Sequence, residues 1–461
     1  LAFEDQNMAG SVQDDDYAAD PVPDRARVDW PMPFFASMGV ATALFFMQVT
    51  SIIVLRYGSR TALIAIVYGF LVAGLVSFAV SRYAIRSGLG TNLLARQVLG
   101  FRGASLFSLI YGMNSFVYFA VEAIIMGSSL KGVLPGVPQW IVLPAVTMVM
   151  VPLVWFGLKI LAKLQFATFL LYGVLLAVAI VICAYHPAPG INWLSYTPAN
   201  PPPAGIGIIA AIGTMNSVVF TTGLLTADYA RVIRRSHVPP AAAAFGLLYP
   251  GFCFIFAGLL GMWFSTHYGN ANPGMYFVTM LGGWGTLFAF STQLRINLSN
   301  MYTGSLAFVN LIDQVSSIEV SRHLMVFVFG AAVATALFFD VFSDLTAALN
   351  IIGMFTTCFT CLVLADLYLV PKVHHAFEDA ASSAMDGAVV WHWPAVVSLT
   401  VSTAGGCVLQ TGIFGPVWVS MASVAAALCQ TAIYLVWKHV RRPHERTNAV
   451  PTFVETSDMG D

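Results

Sequence analysis

Twelve stretches of about 20 residues, each nearly free of charge, recur along the 461-residue chain. They fall near 33–55, 61–81, 104–130, 140–158, 163–185 and 204–227, then near 241–264, 281–304, 324–341, 345–370, 394–412 and 414–437. A run of this length makes a helix that crosses the hydrocarbon core of a bilayer, where every backbone polar group must be satisfied internally. No segment alternates with the period of two that a membrane β-barrel requires. The chain therefore reads as an all-α integral membrane protein of twelve transmembrane helices surrounded by lipid. Composition agrees, with 58% hydrophobic and 9% charged residues, against about 25% charged in a soluble domain. A net charge of -1 leaves no basic excess for nucleic acid.

The basic residues set the orientation. With the N-terminus taken as cytoplasmic, seventeen Lys and Arg fall in inside loops and tails, among them Arg82, Arg86, Arg96, Arg102, Arg231, Arg234 and Arg235. Arg56, Arg60 and Lys131 fall outside, and Arg295 lies within a span. Such asymmetry puts both termini in the cytoplasm of a multi-pass plasma-membrane protein. The first thirty residues hold eight acids, with Asp14, Asp15 and Asp16 at their centre, and no apolar run. Residues 1–32 are expected to be a disordered acidic tail without a cleavable leader, and residues 438–461 a C-terminal cytoplasmic tail.

Enzymatic chemistry finds no support. The nine histidines fall in loops and near helix ends, with no H-E-x-x-H. Cys358 and Cys361 form a C-x-x-C with no second pair and no nearby His, so no metal site is expected. The remaining cysteines lie in apolar runs and behave as small hydrophobes.

Polar residues inside the spans carry the functional signal. The first span holds Gln48-Val49-Thr50-Ser51 and the sixth holds Gly213-Thr214-Met215-Asn216-Ser217. Interrupted helices at matching positions of two repeats point to a midplane transport site. The competing reading is that the hydroxyls bond back to their own helices while Gly permits close packing. Glu122 in the third span and Arg295 in the eighth are costly in hydrocarbon, so each should face the bundle interior. They either pair with each other, or Glu122 meets a ligand or proton while Arg295 is structural or substitutes for a cation. A carboxyl removed from water holds its proton more readily, the property a proton carrier needs. Tyr118 lies one turn before Glu122, so the two share a helix face that suits a flat heterocycle.

Four short motifs, in order, resemble one family. Arg96-Gln97-Val98-Leu99-Gly100-Phe101-Arg102-Gly103 is similar to the R-x-x-x-G-x-x-G loop of the nucleobase:cation symporter-1 family. Thr226-Ala227-Asp228-Tyr229-Ala230-Arg231 resembles its D-[YF]-x-R signature. Asn300-Met301-Tyr302-Thr303 resembles its N-L-Y-S segment, and Asp366-Leu367-Tyr368-Leu369-Val370 its D-Y-Y-L-V helix ending. Their spacing over about 400 residues resembles the purine/cytosine permease branch.

The resemblance implies a LeuT-type fold: two inverted five-helix repeats, 33–185 and 204–370, and two peripheral helices, 394–437. It implies a secondary transporter, a permease or symporter importing a cytosine- or purine-type nucleobase without any cofactor, driven by H⁺ or Na⁺, with H⁺ favoured. A relative carrying allantoin, a hydantoin or a vitamin ring is the alternative, and the oligomeric state stays open. Family members hold the ring between aromatics on helices 3 and 6; the matching positions here are Tyr118, followed by Glu122, and Phe220. Gln48, Gln293 and Asn297 are the amides expected at the substrate. Ser291 and Thr292 match the family's cation-binding hydroxyls, and a one-turn register shift puts Arg295 at that cation position instead.

Overall fold

The first apolar run is not one straight helix. Pro31 opens α1 (Pro31–Ala41), whose end is marked by the Thr42 hydroxyl donating back to the Gly39 carbonyl. The chain then bends by 44° into α2 (Phe45–Tyr57). A Thr that bonds its own backbone competes with the helical ladder and favours such a break. The break thus lies at Thr42–Leu44, ahead of Gln48–Ser51, which sits inside continuous α2. Thr50 and Ser51 donate to Met47, and Ser51 also reaches the Gly261 carbonyl.

The computed structural model describes residues 20–155, 158–316, 318, 320–341, 345–370 and 390–448. Residues 1–19 of the expected tail, Lys372 and residues 449–461 lie outside this set. After α2 come α3 (Ser59–Ser87), α4 (Thr91–Leu99), α5 (Ala104–Leu130), α6 (Gln139–Trp155) and α7 (Leu158–Tyr185). Gly88 ends α3 with φ of 78°, the left-handed turn that glycine adopts without strain. The second set is α8 (Ala204–Ala230), α9 (Val238–Ala243), α10 (Ala257–Tyr268), α11 (Pro273–Leu281), α12 (Gly283–Val315), α13 (Arg322–Phe338) and α14 (Leu345–Leu364). Two π-helical stretches, Ala244–Leu248 and Gly251–Phe256, join α9 to α10 around Pro250, which has no N–H to give the ladder. The chain closes with α15 (Trp393–Gln410) and α16 (Pro416–Asn448).

Seven described helices are long and apolar enough to cross a membrane, eight if the bent α1–α2 pair counts as one span. The result is an all-α, multi-pass helical bundle. At its centre α5 runs along α12 and α3 along α8, while α2 packs on α10 and the α15–α16 pair covers α14. A Cβ on Gly261 would collide with the Met47 carbonyl, so only glycine lets α10 approach α2 this closely.

Two sequence expectations change here. Helix α8 is continuous through Gly213–Ser217, and the Thr214 and Ser217 hydroxyls donate back to the Ala210 and Thr214 carbonyls of the same helix, as the competing reading had it. Residues 20–30, grouped with the disordered tail, are instead folded against one end of the bundle. Arg27 is 4% exposed and donates to carbonyls of Val22, Ile85 and Ile233, and Val28 pairs with the backbone of Val232 and Arg234. Asp24 pairs with Arg27 and Arg235 at 3.1 and 3.3 Å, and Asp29 with Arg234 at 2.8 Å. A buried guanidinium satisfied by three carbonyls orders a segment that composition alone reads as a tail.

Candidate functional site

The bend in the first span and three helical stripes enclose a central cavity. Val40, Ala43, Phe45 and Phe46 come from the α1–α2 junction. Helix α5 contributes Tyr111, Asn114, Ser115, Tyr118 and Glu122; α8 contributes Val218, Thr221, Thr222 and Leu225; α12 contributes Ile296, Ser299, Asn300 and Thr303. On each helix the spacing is three or four residues, which keeps the side chains on one face. The cavity is compact, about 60 Å³.

Tyr118 and Glu122 are both in this wall, as their one-turn spacing implied. The Tyr118 hydroxyl donates to the Ser217 carbonyl at 2.6 Å, and its ring meets Phe45 edge to face. Glu122 is 2% exposed, and its Oε2 has no hydrogen-bond partner. Asn114 Oδ1 is buried in the same condition. Both residues line the cavity, and these two oxygens are acceptors that no donor among the described residues satisfies.

Phe220 is not in the wall. The α8 stripe passes through 218, 221, 222 and 225, and residue 220 points off that face, partly buried in the surrounding packing. The second aromatic beside Tyr118 is Phe45, from the far side of the break. Gln48 is 5% exposed with an unpartnered Oε1 but does not line the cavity. Asn297 stands behind the wall, its Oδ1 receiving a long contact from Asn300 Nδ2 at 3.5 Å. Asn300 itself faces the cavity.

Glu122 and Arg295 do not pair. Arg295 is 1% exposed and sends Nη2 to the Thr42 hydroxyl at 2.7 Å, while its Nε and Nη1 are buried without hydrogen-bond partners. Gln293 is also drawn to the break, where its Oε1 accepts from the Leu44 N–H at 3.0 Å. Ser291 and Thr292 donate to the Phe288 carbonyl of their own helix.

Asn114, Ser115, Thr221, Thr222 and Ser299 escaped the sequence reading, while Asn300 and Thr303 entered it only as part of a family motif, without a place in the site. Asn114 and Ser115 were within reach, since they continue the Tyr118–Glu122 stripe by one more turn. The others lie on faces that composition does not mark, because hydroxyls back-bond on many helices here.

The motif residues brace this site. Asp228, at the foot of α8, accepts from the Thr91 N–H at 2.8 Å and from the Tyr111 hydroxyl at 3.3 Å. A carboxylate at the start of α4 meets the positive end of that helix. Asp366 accepts from the Tyr434 hydroxyl, which ties the end of α14 to α16.

Fold and site together define an all-α, multi-pass helical bundle built around a central polar cavity. No family model and no curated protein matches the chain. Among solved structures it superposes on the inward-facing conformation of Mhp1 with a TM-score of 0.70, at 16% identity, over 94% of this chain and 96% of that one. A closed conformation of Mhp1, a nucleobase-cation-symport-1 family transporter with bromovinylhydantoin bound, gives 0.66 at 15% identity, over 92% and 95%. A Na⁺-coupled sialic acid symporter in a substrate-bound outward-open state gives 0.55 at 15% identity, over 92% and 93%. The shared property is the fold, and these carriers bind unlike substrates.

Proposed function

We propose that the chain is a secondary active transporter importing a small planar cyclic ureide, a hydantoin- or allantoin-type ring, by alternating access around the central cavity. The observation that carries this reading is the pair of unpartnered buried acceptors, Glu122 Oε2 and Asn114 Oδ1, beside the Tyr118–Phe45 aromatic corner. A ureide presents ring N–H donors to those acceptors and carbonyls to the Asn300 amide and the Thr221, Thr222 and Ser299 hydroxyls. The hydantoin bound to the similarly folded Mhp1 supports the same class. A nucleobase is the second reading, favoured by the four sequence motifs.

The proposal takes the bundle as twelve spans, with five-helix repeats at 33–185 and 204–370 and peripheral helices at 394–437. Both termini face the cytoplasm and the protein lies in the plasma membrane, in keeping with the bias of Lys and Arg. Glu122 carries the coupling proton, since it is the buried carboxyl on the cavity wall. Uptake of labelled hydantoin, allantoin, cytosine and hypoxanthine into proteoliposomes tests the reading. Saturable uptake of a ureide, abolished by a protonophore, is expected. Transport of none of the four rings would overturn it.

A further inference from the structure

Helix α1 ends inside the bundle at Ala41, where the Met38 and Val40 carbonyls accept from the Thr42 and Ala43 N–H groups and the Gly39 carbonyl from the Thr42 hydroxyl. The C-terminal end of a helix carries about half a negative charge, and in hydrocarbon that end needs a cation. Half-helix ends of this kind hold the coupling ion in carriers built on broken helices.

Arg295 reaches this end. Its Nη2 donates to the Thr42 hydroxyl at 2.7 Å, and the same hydroxyl donates on to the Gly39 carbonyl at 3.1 Å, within the last turn of α1. The guanidinium is thereby connected, through one hydroxyl, to the negative end of the helix. Two residues earlier on α12, Gln293 holds the Leu44 N–H on the other side of the break. Helix α12 therefore grips both lips of the bend. Tyr172 lies under the guanidinium, with the ring centroid 5.8 Å from Cζ, at a distance where a ring face attracts a cation. One turn before Arg295, Ser291 and Thr292 donate to the Phe288 carbonyl of their own helix.

We propose that Arg295 is a resident cation: its guanidinium stands at the α1–α2 break where a mobile Na⁺ would otherwise bind, so the carrier neither binds nor needs Na⁺ there. A guanidinium keeps its charge at every physiological pH, so the break stays neutralised through the whole cycle. A second cation at the same place would face a like charge a few ångströms away in a buried setting where screening is weak. Since a tethered charge cannot be released, the ion that drives transport must be read by another group. This rests on the carrier reading above and deepens its account of coupling.

The test is the thermal midpoint of the purified full-length protein, titrated with Na⁺ against choline at constant ionic strength. The unmutated protein is expected to show no difference between the two salts. Arg295→Ala is expected to lower the midpoint and to regain much of the loss with millimolar Na⁺ or guanidinium ion but not with choline. Arg295→Lys, which keeps the charge, is expected to remain indifferent to Na⁺. A saturable Na⁺-dependent rise in the unmutated protein would overturn the proposal, as would an Arg295→Ala protein that no small cation stabilises. Should Arg295→Ala fail to fold, the unmutated protein and Arg295→Lys decide: indifference to Na⁺ in both supports the resident cation, and a saturable Na⁺ response in either overturns it. These midpoints need no substrate, so they stand apart from the uptake assay: loss of ureide transport would remove the functional reading and leave the charge of the break still measurable.

Discussion

Tyr118 and Phe45 meet edge to face across the cavity, with ring centroids 5.1 Å apart and planes inclined at 73°. One ring belongs to α5 and the other to the first turn of α2, just past the break. The contact joins the wall that bears Glu122 to the bend of the first span. Edge-to-face pairs contribute about 0.5–1.5 kcal/mol beyond their buried area.

The aromatic corner sets the first prediction. Phe45→Ala and Tyr118→Ala should each weaken ureide binding by about tenfold, the equivalent of about 1.4 kcal/mol. Phe220→Ala, off the α8 stripe, should leave the affinity within about twofold. Isothermal titration of the three variants checks this. An effect of Phe220→Ala as large as that of Phe45→Ala would restore the sequence-based assignment.

Tyr118→Phe isolates the hydroxyl from the ring. It removes the donor to the Ser217 carbonyl, which still accepts from the Thr221 hydroxyl, so the cost is that of one net hydrogen bond, about 0.5–1.5 kcal/mol in stability. The ring remains, so binding should fall less than in Tyr118→Ala. Paired thermal-midpoint and affinity measurements separate the two effects.

Glu122→Gln preserves shape and one acceptor but cannot exchange a proton. Substrate exchange across the membrane should persist, whereas uphill accumulation driven by a proton gradient should be lost. Counterflow and gradient-driven uptake in the same proteoliposomes provide the comparison. Gradient-driven accumulation at the unmutated level would remove Glu122 from the coupling role.

Gly353 faces the backbone of Ser217, where any Cβ would overlap atoms of the α8 main chain. Gly353→Ala should force α14 away from α8 and cost about 1–3 kcal/mol, as overpacking does. Because Ser217 also receives the Tyr118 hydroxyl, binding should weaken together with the thermal midpoint. A variant with unchanged midpoint would show that α14 has room to move.

Asp228→Asn keeps one acceptor, for the Thr91 N–H, turns the other position into an amide NH2 facing the Tyr111 hydroxyl, and removes the charge facing the start of α4. Loss of that charge should cost about 0.3–1 kcal/mol, with little change in substrate affinity. A calorimetric scan in detergent would register it. Loss of binding comparable to that of Tyr118→Ala would instead place Asp228 in the substrate path.

Of the twelve expected spans, the seven or eight that described helices are long and apolar enough to form were legible because preference for hydrocarbon is a local property of about 20 residues and needs no knowledge of neighbours. Tyr118 and Glu122 were legible for a related reason: one helical turn aligns them whatever packs against α5, and an ionisable group in a span must face inward. Rotation of one helix against another is not a local property. Whether Phe220 or Phe45 stands opposite Tyr118 depends on which face α8 presents, and that depends on α3, α14 and α16 packed around it. The same holds for Arg295. Its sequence position marked it as costly and inward-facing, but only the placement of α12 against the α1–α2 bend brought its guanidinium to Thr42 rather than to Glu122. Local chemistry determined which groups had to leave lipid, while the choice of partner was a long-range decision made by the packing of the bundle.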